Sequence, residues 1–177
     1  MNTKLYAIKH TNNRLEIFLE KDMKYSSEWF MDFGKFGSEV FNLKRETIYS
    51  LVKKFKFWKW KMVFTIKKND GKIYELISKN NKKTIYSINI DGVIYDLKIH
   101  YKKRISIYKS NAKIAEFDAS FSHENFQNYI KLQLSDANDL EIVFLLFSCI
   151  QIGETDENVK KILPSQKELE TNEEPWS

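Results

Sequence analysis

Ten of the thirteen residues from Leu140 to Ile152 are apolar, and they leave no polar stripe. A helix that is apolar on every side must be buried on every side. The flanks read as helix ends. Ser135, Asp136 or Asn138 can cap the N-terminus, Asp139 and Glu141 suit the positive end of the dipole, and Gly153 suits the position just past the last turn. A helix over about 139–152 is therefore expected, although a strand over part of the run also fits. Thirteen helical residues span roughly 20 Å, short of a hydrocarbon core of about 30 Å. Protein, rather than lipid, has to enclose this segment.

The enclosure is written in the preceding residues. FTIKKNDGKIYELI from Phe64 and IYSINIDGVIYDLK from Ile85 superpose at an offset of 21 residues. They match at Asp70 and Asp91, Gly71 and Gly92, Ile73 and Ile94, Tyr74 and Tyr95, and Leu76 and Leu97. Asp-Gly supplies the positive φ angles of a tight hairpin. A third copy, ISIYKSNAKIAEFD from Ile105, places Ser110-Asn111 at the turn, and Asn tolerates the left-handed conformation. Tyr86, Ile88 and Ile90 alternate with polar residues, as in a sheet with one buried face. Lys4–Lys9 and Arg14–Leu19 flank a turn at Thr11-Asn12-Asn13, and a further strand is expected over Asn128–Leu134. Hairpin after hairpin makes a curved antiparallel meander, and the apolar helix is its natural filling.

The chain has 177 residues, and residues 1–153 read as one soluble β-rich domain. Residues 154–177 carry seven acids against three lysines, a net of −4 that leaves +9 on residues 1–153 out of the total of +5. This polar segment holds Pro164, Pro175 and an isolated Trp176, and is expected to be a mobile acidic tail with at most a short helix at Val159–Leu163. A basic body suits an anionic partner, although lysines also serve solubility. The single Cys149 allows no internal disulfide, and the N-terminal residues lack the apolar core and cleavage site of a secretory signal. The expected location is the cytoplasm, or peripherally at a membrane.

The strand–Asp-Gly–strand units, then YSINIDGVIYDLKIHY, RISIYKSNAKIAEFD and the closing DLEIVFLLFSCIQIG, resemble the tubby C-terminal-like superfamily. The nearest branch is that of the small bacterial tubby-like proteins, akin to the LURP-one-related group and more distantly to phospholipid scramblases. The resemblance covers residues 64–153 and extends toward residue 4. It implies a closed antiparallel β-barrel of about twelve strands around a central apolar C-terminal helix. It also implies a non-enzymatic protein, since eukaryotic tubby domains bind phosphoinositide head groups through basic residues and scramblase-like members associate with membranes. None of the tubby phosphoinositide residues is carried over to a position here. Calcium-loop and palmitoylation signatures of scramblases are lacking, and the acidic tail departs from the usual family ending.

The segment Leu43–Phe64 holds the strongest candidate site. Lys53, Lys54, Lys56, Lys59 and Lys61 interleave with Phe55, Phe57, Trp58 and Trp60. Lysines attract anionic head groups, and tryptophans favour the membrane interface. Lys53, Lys54, Lys56, Lys59, Lys61, Trp58 and Trp60 are thus the candidate anion- or lipid-binding residues. The same pattern describes an ordinary barrel strand with aromatics inward and lysines in solvent, with Trp58 out of register, and residues 44–54 also fit an amphipathic helix with Ile48, Leu51 and Val52 on one side. Nucleic acid is a weaker partner, because no recognised motif frames the segment. A protein-interaction or structural module with no lipid binding is the alternative function.

No other cluster suggests chemistry. His10, His100 and His123 lack metal-ligand spacing and are expected at the surface or in turns. Cys149 reads as a buried structural thiol, and Ser148 lacks a nucleophile-elbow context. Asp70 and Asp91 belong to turns. The segment DFGKFGSEV from Asp32 contains Gly34 and Gly37 without phosphate-loop spacing. Neither an enzymatic activity nor a cofactor is expected.

Overall fold

Apolar residues at every second position cover one face of a strand, and that period recurs from residue 4 to residue 134. In the computed structural model, which describes residues 3–57, 60–100, 104–118 and 129–154, these stretches are twelve strands. They are β1 (Lys4–Thr11), β2 (Arg14–Leu19), β3 (Asp22–Asp32), β4 (Lys35–Phe41), β5 (Thr47–Lys56) and β6 (Lys61–Lys68). Then follow β7 (Ile73–Ser78), β8 (Ile85–Ile90), β9 (Val93–Ile99), β10 (Arg104–Lys109), β11 (Ala112–Asp118) and β12 (Tyr129–Leu134). Each strand pairs antiparallel with its chain neighbours, and β1 closes on β12 with Tyr6 opposite Leu132 and Ile8 opposite Ile130. Closure leaves no free sheet edge among the described strands.

The expected turns are present, in two forms. Asp91 and Gly92 have φ of 49° and 89°, and Ser110 and Asn111 have 48° and 70°. Both are two-residue hairpins with left-handed central residues. In the first repeat only Gly71 is left-handed, at 90°, and its amide donates to the Lys68 carbonyl. That loop takes three residues, with Gly71 as the bulge.

The barrel is filled by α1 (Leu140–Ile150), preceded by a single 3-10 turn over Ala137–Asp139. Seven consecutive residues, Val143 to Cys149, are buried, and so are Leu140 and Ile152. Glu141, Ile142 and Ile150 are only half-buried, so burial is nearly but not fully circumferential. Phe147 stacks on Phe117 with ring centroids 4.3 Å apart, and Phe144 packs on Tyr25 at 6.2 Å. Inward residues of the wall, among them Ile8, Ile17, Leu51, Ile66, Leu97 and Leu132, complete one continuous core. Each such side chain contributes about 1.5–3 kcal/mol on burial. No helix among the described residues is long and apolar enough to cross a membrane.

Both ends of α1 are tied down. Asp136 caps the 3-10 turn by accepting from the Asn138 amide, and Lys109 Nζ lies 2.7 Å from Asp139. At the far end Gly153 turns the chain at φ 90°, Trp29 Nε1 donates to the Glu154 carbonyl, and Lys53 Nζ donates to that of Ile152. The tail beyond Glu154, with its short-helix segment and Trp176, lies outside the described residues.

The structure corrects two expectations. Residues 44–54 do not form an amphipathic helix: Thr47–Lys56 is the strand β5. Its period of two, with Tyr49 and Leu51 buried in the core, wins over the helical spacing of Ile48, Leu51 and Val52. His10 and His100 are buried rather than at the surface, whereas His123 lies outside the described residues. His100 Nε2 is 2.9 Å from Ser106 Oγ, which bonds the Glu116 carboxylate in turn.

Candidate functional site

The β5–β6 hairpin sorts its lysines by face. Lys54 pairs with Val63 and Lys56 with Lys61, so Lys54, Lys56 and Lys61 share the outer surface. Lys53 belongs to the opposite, inner phase with Tyr49 and Leu51. Its ammonium reaches the Ile152 carbonyl at 2.8 Å, at the negative end of the α1 dipole. Burial pushes the Lys53 ammonium below its ordinary value, and the nearby Lys83 pushes the same way, while Glu154 opposes. Lys53→Met should therefore cost about 1–3 kcal/mol of stability, measurable in urea unfolding, by removing a charged hydrogen bond from a helix end. Stability unchanged in that variant would show that the contact contributes nothing.

At the tip of this hairpin the aromatics stand out of the barrel. Phe57 is 72% exposed and Trp60 68%. Both lean edge-on against the half-buried Phe55, at centroid distances of 4.8 and 6.1 Å, and Lys83 Nζ lies 4.2 Å over the Phe55 ring. Trp60 adopts a left-handed φ of 49°. Lys56 meets Glu75 at 3.6 Å, a surface pair of small energetic value. Trp58 and Lys59 lie outside the described residues. Of the seven candidates, then, Lys54, Lys56 and Lys61 lie on the outer face, Trp60 is exposed at the hairpin tip against Phe55, and Lys53 is turned inward.

Sequence reasoning missed two contributors to this end of the barrel. One is Lys83, from the β7–β8 connection. The other is the β3–β4 tip, Phe30 to Lys35, with three exposed apolar side chains. Connections that follow odd-numbered strands emerge at the same end of an up-and-down barrel, so both tips flank the exit of α1. The available signal was Phe33-Gly34 between the paired Asp32 and Lys35, a two-residue turn with an aromatic where a polar residue is usual.

Elsewhere the polar clusters read as structure. Ser106 is buried between His100 and Glu116, with its Oγ 2.9 Å from His100 Nε2 and bonded to the Glu116 carboxyl. Desolvation raises the Glu116 carboxyl above its usual range, against the pull of that bond. Ser148 is buried and bonds the Phe144 carbonyl and Ser27. Cys149 is buried, and burial pushes its thiol up, away from reactivity. Asp91 holds Lys72 and Tyr74 beside its turn. A cleft of about 530 Å³ opens at the other end, where Lys24 and Lys44 face Glu46 and Glu141, a lining of mixed charge. Among the described residues no group of three or more His, Cys, Asp or Glu side chains could hold a metal.

These features define a closed twelve-stranded antiparallel barrel, plugged by its own C-terminal helix and rimmed at one end by lysines and exposed aromatics. The architecture is similar to the X-ray structure of the Arabidopsis thaliana protein AT5G01750, with a TM-score of 0.55 over 90% of this chain and 92% of that one. Sequence identity is 9%, so the likeness is one of fold. No protein-family model and no curated protein matches the sequence.

Proposed function

We propose that this chain is a non-enzymatic tubby-like barrel that docks peripherally on anionic phospholipid through the β5–β6 rim. The observation that carries the reading is the chemistry of that rim: Lys54, Lys56 and Lys61 on one outer face, beside the exposed Phe57 and Trp60. Lys56 and Lys61 sit directly opposite each other in the ladder. Like charges so placed repel, and Glu75 offsets only part of this. Anionic head groups relieve the repulsion and add about 1 kcal/mol per lysine near the surface. Aromatic rings at the same level suit the interfacial zone. The closed barrel with a central helix is the architecture that the tubby-like resemblance implies, and it supports the fold part of the reading. The lipid part rests on the rim.

Vesicle co-sedimentation tests it. The protein should pellet with vesicles containing phosphatidylserine, not with phosphatidylcholine alone, and less as salt rises. No pelleting with anionic vesicles at low salt overturns the reading and leaves a protein-interaction module in its place.

A further inference from the structure

The β3–β4 tip carries the most exposed apolar side chain among the described residues. Phe33 is 98% exposed, Met31 65% and Phe30 47%. Central positions of such turns ordinarily go to Asn, Asp or Gly. This chain follows the rule at Asn12, at Asp91-Gly92 and at Asn111, and departs from it with charged side chains at Glu20, Arg45 and Lys83. At the β3–β4 tip it instead puts Phe33 at φ 44°, ahead of Gly34 at 75°. A bulky side chain in the left-handed region is strained, and a ring held in water is unfavourable as well. Strain of this kind gathers at sites of function. Trp60 repeats the arrangement on the other hairpin of the same four-strand stretch. The base of the tip is shaped for its aromatic: the Phe30 ring crosses Gly37 so closely that a methyl there would lie 2.8 Å from it.

We propose that the β3–β4 tip is a second lipid contact, an apolar prong whose Phe30, Met31 and Phe33 enter an anionic bilayer below the head groups held by the lysines. The proposal rests on the lipid reading of the rim and adds depth and orientation to it. Charge favours a lipid occupant. Lys35 is exposed at the prong and Lys54 next to it, against Asp32 in the turn itself and Glu154 at the end of α1. Lysines beside apolar tips match a surface that is anionic outside and apolar beneath. Two prongs at one end fix the pose, with the barrel end-on and the C-terminal end of α1 toward the membrane.

Phe33→Cys offers a direct probe, because the native Cys149 is buried and a reagent will label position 33 selectively. An environment-sensitive fluorophore there should shift to the blue on adding phosphatidylserine vesicles, and brominated acyl chains should quench it. Phe33→Asn suits the left-handed turn, so it should melt higher than the wild type and still bind vesicles about tenfold more weakly, with the salt dependence kept. A label that stays aqueous while the protein pellets, or Phe33→Asn binding like wild type, overturns the prong and leaves the rim reading standing. Wild-type protein that fails to pellet with anionic vesicles overturns both.

Discussion

Phe144→Asp should leave no folded barrel. Phe144 is fully buried in α1, with its ring packed on Tyr25 from the wall. Removing such a ring costs about 3–5 kcal/mol in lost packing alone. A carboxylate in its place has no partner, which adds several kcal/mol or forces the group to take up a proton. A domain of this size is stable by only about 5–15 kcal/mol, so the sum reaches the whole margin. Leu145→Asp, equally buried, should do the same. Ile142 is half-buried, and Ile142→Asp should be milder. Thermal melts followed by circular dichroism separate these cases. A folded Phe144→Asp protein with an unchanged midpoint would mean that α1 does not plug the barrel.

The second large effect concerns binding. Converting Lys54, Lys56 and Lys61 together to glutamine removes three cationic groups from one outer face. At about 1 kcal/mol each near an anionic surface, affinity should fall roughly a hundredfold. Their side chains lie outside the core, so the thermal midpoint should hardly move, and relief of the Lys56–Lys61 repulsion works in favour of stability. Lys53 stays out of this set, because its ammonium is committed to the end of α1.

Much of this architecture was legible in local chemistry. Asp91-Gly92 and Ser110-Asn111 encode hairpins within two residues, and Leu140–Ile152 encodes burial by having no polar side. What stayed hidden depends on contacts remote in sequence. Alternation along β5 assigns Lys53 to one face or the other, but only the Ile152 carbonyl, 99 residues on, makes the inner face tolerable for an ammonium. The helical spacing of Ile48, Leu51 and Val52 lost to strand pairing with β4 and β6, which no local pattern contains. His100 reads as an ordinary turn residue until β10 brings Ser106 beside it. The candidate rim was half legible. Its lysines and aromatics stand out in the sequence, yet Phe33 joins them only because β3 and β5 run in the same direction in an up-and-down barrel.

The most direct measurement asks which end of the barrel meets the lipid. Lys21, Lys24 and Lys44 belong to the opposite end, and converting them to glutamine removes the same charge as converting Lys54, Lys56 and Lys61. Phosphatidylserine vesicles should then lose the rim variant by about a hundredfold while binding the opposite-end variant nearly as well as wild type. Equal losses in the two variants would contradict a docking rim and reduce the binding to net charge alone.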